Sequence, residues 1–201
     1  VRLVPQDTAG SELLVTGTII ESDGENLELE IRAQDATGKE WFRRTYSKEI
    51  DYTQYLRIDR EGEDVFQPLY NTIANDLAKL RAKLERGEIT KIRRVASLRF
   101  ASDLAPEAFD GYLEQNGERF KVARLPAADD PMYRRVQAIR DRDFLLIDTL
   151  NGHFDNFTRE MEQPYTDWRK ARSEEAAKLR ALEREALKRK LLGVAAIIGA
   201  I

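Results

Sequence analysis

The sequence predicts an α+β fold: an antiparallel meander packed by a helix forms a two-layer α/β sandwich, and a long C-terminal helical arm follows it. Three observations predict this. Residues 13–47 hold three runs of β-forming residues separated by Asp-Gly and Thr-Gly turns. Residues 65–86 carry apolar side chains three or four positions apart, and helical spacing resumes after Asp130.

The first strand is predicted over 13–21, where Val15, Thr16, Thr18, Ile19 and Ile20 are β-branched, and Asp23-Gly24 is able to turn at positive φ. Over 27–33, Leu27, Leu29 and Ile31 alternate with Glu28, Glu30 and Arg32, the period of a strand with one wet face. Residues 35–38 turn again and 41–47 make the third strand. Residues 48–64 mix charges and tyrosines without period and read as a loop with room for one short element. Phe66, Leu69, Tyr70, Ile73, Leu77, Leu80 and Leu84 then mark one helix, with Gly87 as its expected stop.

Residues 89–100 fit either a strand or a short helix, and periodicity leaves both open. Ala105-Pro106-Glu107 is expected to start a helix that buries Phe109, Tyr112 and Leu113; an Asn116-Gly117 turn and a strand over 119–125 follow. Asp130-Pro131 supplies an N-cap and a first-turn proline, and Val136, Ile139, Leu146, Leu150, Phe154, Phe157 and Met161 continue at helical spacing. Pro164 is expected to interrupt that helix. The second helix, 165–192, is almost wholly polar, with Glu174/Lys178 and Glu185/Arg189 as i,i+4 pairs. The first helix is expected to pack and the second to reach into solvent. The chain thus divides into an α/β domain (1–129), an amphipathic helix (130–163) and a polar basic helix ending in an apolar tail (164–201).

At 201 residues, 42% hydrophobic and 34% charged, the chain can bury one substantial core. Its charges nearly cancel, 33 basic against 36 acidic. The nine basic and five acidic residues from Pro164 onward leave +4 there and −7 before it, so the arm is the basic part. No global basic field serves nucleic-acid binding, and the Arg93-Arg94 and Arg134-Arg135 pairs are too small for such a surface. There is no cysteine, which excludes thiolate chemistry and disulfides. Val1 is not followed by a signal-like segment, so the chain reads as a mature or trimmed product.

Catalytic patterns are scarce. His153 is the only histidine, which rules out a multi-histidine metal site within the chain, and it reads as a structural or surface residue. The acid pairs Asp129/Asp130, Asp141/Asp143 and Asp148/Asp155 are explained more simply by capping and a solvated face than by acid–base chemistry. A hydrolase would need Asp103, Asp129 or Asp143 gathered in a cleft. Glycine-rich phosphate loops are absent from the sequence. The expectation is no enzyme, no cofactor and no metal.

The end of the chain is distinctive. Lys188, Arg189 and Lys190 precede eleven residues without a polar side chain, among them Leu191, Leu192, Val194, Ile197 and Ile198. As a helix this run rises about 16 Å against roughly 30 Å of hydrocarbon, so alone it does not span a bilayer. Gly193, Gly199, Ala195, Ala196 and Ala200 provide small residues for close helix contact, and the three cations stand where headgroups would meet them. Membrane contact, a buried oligomer core and an unstructured remnant all remain open. An apolar run ending at Ile201 also suggests that the native chain continues.

The stretch "TGTIIESDGENLELEIRAQDATGKEWFRRTYS", followed by a helix near "VFQPLYNTIANDLAKL", resembles the domain shared by bacterial envelope lipoproteins of the curli-channel, penicillin-binding-protein-activator and TolB amino-terminal type. Asp35, Thr37, Gly38 and Trp41 hold the places of that group's turn motif, with Thr37 one residue nearer Asp35 than the pattern has it. The resemblance covers residues 13–84; no strand-helix unit precedes Leu13, and the arm has no counterpart. It implies a non-enzymatic protein that binds proteins or assembles with itself in a Gram-negative envelope, periplasmic and membrane-associated. Leu146, Ile147, Leu150, Phe154, Phe157 and Met161 are the expected oligomer or partner interface. Lys188, Arg189, Lys190, Leu191, Leu192, Val194, Ile197 and Ile198 are the expected membrane or assembly contact. The expected partners are further copies and other envelope proteins, with no nucleic acid. The rival reading is an adaptor that binds nucleic acid or an anionic membrane through the basic helix.

Overall fold

The computed structural model describes residues 2–5, 9–55 and 64–198, the side chains of 52 and 191–198 excepted. Strands β1 (Leu13–Ser22), β2 (Asn26–Asp35) and β3 (Glu40–Glu49) form an antiparallel sheet in the order β1-β2-β3. Helices α1 (Tyr52–Tyr55), α2 (Gln67–Ala82) and α3 (Arg86–Leu104) follow, then the hairpin β4 (Leu113–Asn116) and β5 (Arg119–Val122), and finally α4 (Pro131–Ile198). The fold is α+β, as the sequence predicts.

Strand alternation places Leu27, Ile31 and Tyr46 on one face, where they are buried with Ile50, Tyr55, Phe66 and Leu69, and Phe42 and Ile73 pack around them. This is the two-layer core, with α2 laid over the middle and last strands. Val15 and Ile19 of β1 share that face through their partners Ala33 and Leu29, yet remain exposed.

Both meander turns are docking points. Asp35, buried at the second, accepts hydrogen bonds on Oδ1 from Thr37 N (2.9 Å) and Thr37 Oγ1 (2.6 Å), and on Oδ2 from Trp41 Nε1 (2.9 Å). Gly38 takes φ +79°, and a Cβ there would lie 1.7 Å from the carbonyl oxygen of Glu118. Phe120 N donates to Thr37 O at 2.9 Å, so the β4–β5 hairpin sits directly on this turn. The motif residues Asp35, Thr37, Gly38 and Trp41 therefore build one hydrogen-bonded corner.

Three sequence expectations are corrected, and one left open is decided. Gly87 does not stop a helix: α2 ends at Ala82, and Glu85 and Glu88 form a capping box that starts α3, with Gly87 in its first turn. The ambiguous stretch 89–100 is helical, because Ile92, Val95 and Ala96 bury at helical spacing against Ala36 and Trp41. No helix begins at Pro106. Residues 106–111 are turns ending at Gly111 with φ +70°, which lets the chain reverse into β4, although Phe109 is buried as expected.

The third correction is the largest. α4 continues through Pro164 as one helix of 68 residues. Proline removes one hydrogen bond, to the Glu160 carbonyl, at a cost of about 3 kcal/mol. Attachments on both sides of it oppose a break. On the near side Asp130 Oδ1 caps Met132 N and Tyr133 N at 2.8 and 3.0 Å, Val136 packs with Leu98, Ala101 and Phe109, and Arg140 donates to Ser97 Oγ and Gly10 O. Arg2 pairs with Asp148 at 2.5 Å. The far side is also attached, so the polar helix does not simply reach into solvent.

Candidate functional site

The far attachment is polar. Arg169 is buried and donates through Nη1 and Nη2 to the two oxygens of Asp64, each at 3.1 Å. Its guanidinium also lies over the rings of Tyr165 (4.6 Å) and Phe66 (5.4 Å). Burial alone would lower its pKa, but the pairing with Asp64 outweighs this and raises it. One helical turn further, Ser173 Oγ donates to buried Glu25 at 3.3 Å, and Arg180 Nη2 donates to the same carboxylate at 2.5 Å.

The first meander turn is what this latch grips. Asp23 Oδ1 accepts from Glu25 N and Asn26 N at 2.8 and 2.6 Å, and Gly24 takes φ +95°. A Cβ on Gly24 would stand 2.8 Å from the Arg169 carbonyl oxygen, so only glycine allows this approach. Tyr55 Oη donates to the Gly24 carbonyl at 2.5 Å, and burial pushes its phenol up to about 12. Sequence reasoning missed this latch, because its members are up to 155 residues apart. The only local signal is that Arg169, Ser173 and Arg180 share one helix face.

Between the two attachments, every residue from 152 to 164 is exposed. Of the predicted interface residues, Leu146, Leu150, Phe154, Phe157 and Met161 are exposed, Leu146 at 59% and Phe157 at 55%. Ile147, at 8%, is turned into the protein and leaves the set. Tyr165 and Trp168, stacked at 5.7 Å, extend the exposed row and were not in the expected set. At about 100° per residue, Leu146, Leu150, Phe154, Phe157, Met161, Tyr165 and Trp168 occupy one sector roughly 100° wide. The body-facing residues Arg140, Phe144, Asn151, Arg169 and Ser173 lie about a quarter-turn away. The row is thus open beside the attachment face.

Lys188, Arg189 and Lys190, the last residues of α4 whose side chains are described, are exposed, and Arg189 pairs with Glu185 at 2.7 Å. The helix backbone continues through Leu191, Leu192, Val194, Ile197 and Ile198, but their side chains lie outside the described residues, as do Gly199, Ala200 and Ile201 altogether. Among the described residues no helix is long and apolar enough to cross a membrane.

An open groove of about 480 Å³ lies between the start of α3 and β5, lined by Arg86, Gly87, Thr90, Lys91, Arg94, Lys121 and Val122. It holds neither a carboxylate nor a histidine. Thr90 already donates its hydroxyl to the Arg86 carbonyl, so the groove offers cations and little other chemistry. Asp103, Asp129 and His153 are exposed, Asp143 is half-buried, and no group of three metal-binding side chains occurs among the described residues. The chain matches no protein-family model, no curated protein and no solved structure.

Proposed function

We propose that this chain is a non-enzymatic assembly protein of a Gram-negative envelope, periplasmic and membrane-associated, acting through contacts with further copies of itself and with other envelope proteins. One observation carries the reading: seven large apolar side chains form an exposed row on a helix that is anchored to its own domain on both sides. A patch of this size exceeds what a monomer ordinarily leaves wet. The two anchors make the row a rigid, preorganised surface, so binding it loses little conformational entropy.

The resemblance of residues 13–84 to envelope lipoprotein domains supports the compartment, and the run after Lys190 supports membrane association. The adaptor reading, binding nucleic acid or an anionic membrane through the basic helix, draws less support. Arg169 and Arg180 are used inside the latch, Arg172 pairs with Glu175, and Lys178 pairs with Glu174.

The test is native mass by light scattering for the wild type and for Leu150→Asp/Phe157→Asp. Both positions are exposed, so the melting temperature is expected to stay within a few degrees. The wild type should run as an assembly, with itself or with co-purified envelope protein, and the variant as a monomer. An assembly of unchanged mass in the variant would overturn the reading.

A further inference from the structure

The period of the exposed row carries more than its presence. Leu146, Phe157, Trp168 and Leu179 are eleven residues apart, and so are the pairs Leu150/Met161 and Phe154/Tyr165. Eleven residues over three turns is 3.67 per turn, close to the natural 3.6 of a straight helix, whereas a seven-residue repeat drifts off the face unless the helix supercoils to the left. The row drifts by only about 20° per eleven residues, so a partner helix follows it along its full length with a slight right-handed supercoil. From Leu146 to Trp168 that length is about 33 Å. Beyond Trp168 the charged Arg172 and Glu175 enter the sector and interrupt it before the exposed Leu179 and Leu182, so the continuous apolar seam runs from Leu146 to Trp168.

Side-chain size is graded along the seam. Leu146 and Leu150 stand at one end, Tyr165 and Trp168 at the other. A parallel copy would set leucine on leucine and tryptophan on tryptophan, and the axes would splay because interaxial distance follows the side chains between them. An antiparallel copy sets Leu146 against the other Trp168, Leu150 against Tyr165 and Phe154 against Met161, with Phe157 meeting its own counterpart on the two-fold axis. Each layer then has similar volume, and the helix dipoles oppose one another.

The area is also of the right order. Seven side chains at about half exposure offer roughly 700 Å² per copy, and a pair buries on the order of 1,200–1,400 Å², inside the range of stable interfaces. We infer that the occupant of this surface is a second copy of the chain, its α4 running antiparallel across the first about a two-fold axis at Phe157. The inference rests on the assembly reading above and specifies its partner and geometry.

The chain has no cysteine, so a single introduced one reports a single position. Leu146→Cys, Trp168→Cys and Phe157→Cys are each made in the full chain, with melting confirmed unchanged, and treated with a short bis-maleimide. Antiparallel pairing predicts that Phe157→Cys cross-links alone, and that mixed Leu146→Cys and Trp168→Cys cross-link at least ten-fold more than either alone. Light scattering of the wild type should give twice the chain mass. Efficient cross-linking of Leu146→Cys with itself would overturn the geometry while leaving the assembly reading standing. A wild type of single-chain mass across concentration would overturn self-pairing, and the assembly reading would then stand or fall on a heterologous envelope partner that Leu150→Asp/Phe157→Asp releases.

Discussion

Tyr55 shows what one buried side chain contributes. Its hydroxyl donates to Gly24 O inside the core, and burial raises its pKa from 10 to about 12. A folded-state pKa above the unfolded one means that the neutral phenol favours the fold below pH 10, and that this stability is lost as pH rises through 12. The loss is about 2–3 kcal/mol between those limits. Urea denaturation at pH 9, 10, 11 and 12 should show stability falling across that window. In Tyr55→Phe the fall should be shallower, with about 1 kcal/mol already missing at neutral pH. An identical slope in both proteins would assign the alkaline loss to other groups. At this scale the sequence was partly legible. Asp23-Gly24 and the Asp130 cap announce themselves through local chemistry, because each aspartate accepts from backbone groups two and three residues away. Glu25 and Arg169 do not, because nothing in a charged residue's neighbours says that it will be buried against a partner far along the chain.

Between elements, the close approaches are made by backbone. The β4–β5 hairpin meets the meander where Gly38 faces Glu118 O, with Arg32 and Gln34 both donating to the Glu118 carboxylate at 2.9 and 3.0 Å. Gly38→Ala should cost about 3 kcal/mol, combining a positive-φ penalty with displacement of the hairpin. Hydrogen exchange should then quicken in β4 and β5 before it does in β2. A variant as stable as wild type would mean that the hairpin is only loosely seated. Element type was read well where periodicity was clean and poorly where tertiary contacts decide: α3 is a helix because its apolar residues find Ala36 and Trp41, and α4 outlasts Pro164 because it is attached on both sides.

For the whole molecule, the arrangement is a body spanned by a rod. The meander, α3 and the small hairpin hold α4 near its start and again near Arg169, and the rod then carries Lys188 to Lys190 away toward the apolar end. If that end meets lipid, deleting residues 191–201 should abolish sedimentation with phosphatidylglycerol/phosphatidylcholine vesicles while leaving the pairing through Phe157 intact. Retained sedimentation would move the membrane contact onto the body. Loss of pairing together with sedimentation would mean that the tail serves assembly.

By itself the sequence determined the three strands and their turns, the helix over the sheet, the cap at Asp130 and an apolar row at helical spacing, since each follows from chemistry within a few residues. It also placed five of the six expected interface residues on the open row. Only the tertiary structure decided that Ile147 turns inward, that Tyr165 and Trp168 extend the row, and that the polar half of α4 returns to grip the Asp23-Gly24 turn. Those outcomes depend on where distant segments meet. A helix face is buried or bare according to what the rest of the chain sets against it, and a local pattern holds no record of that.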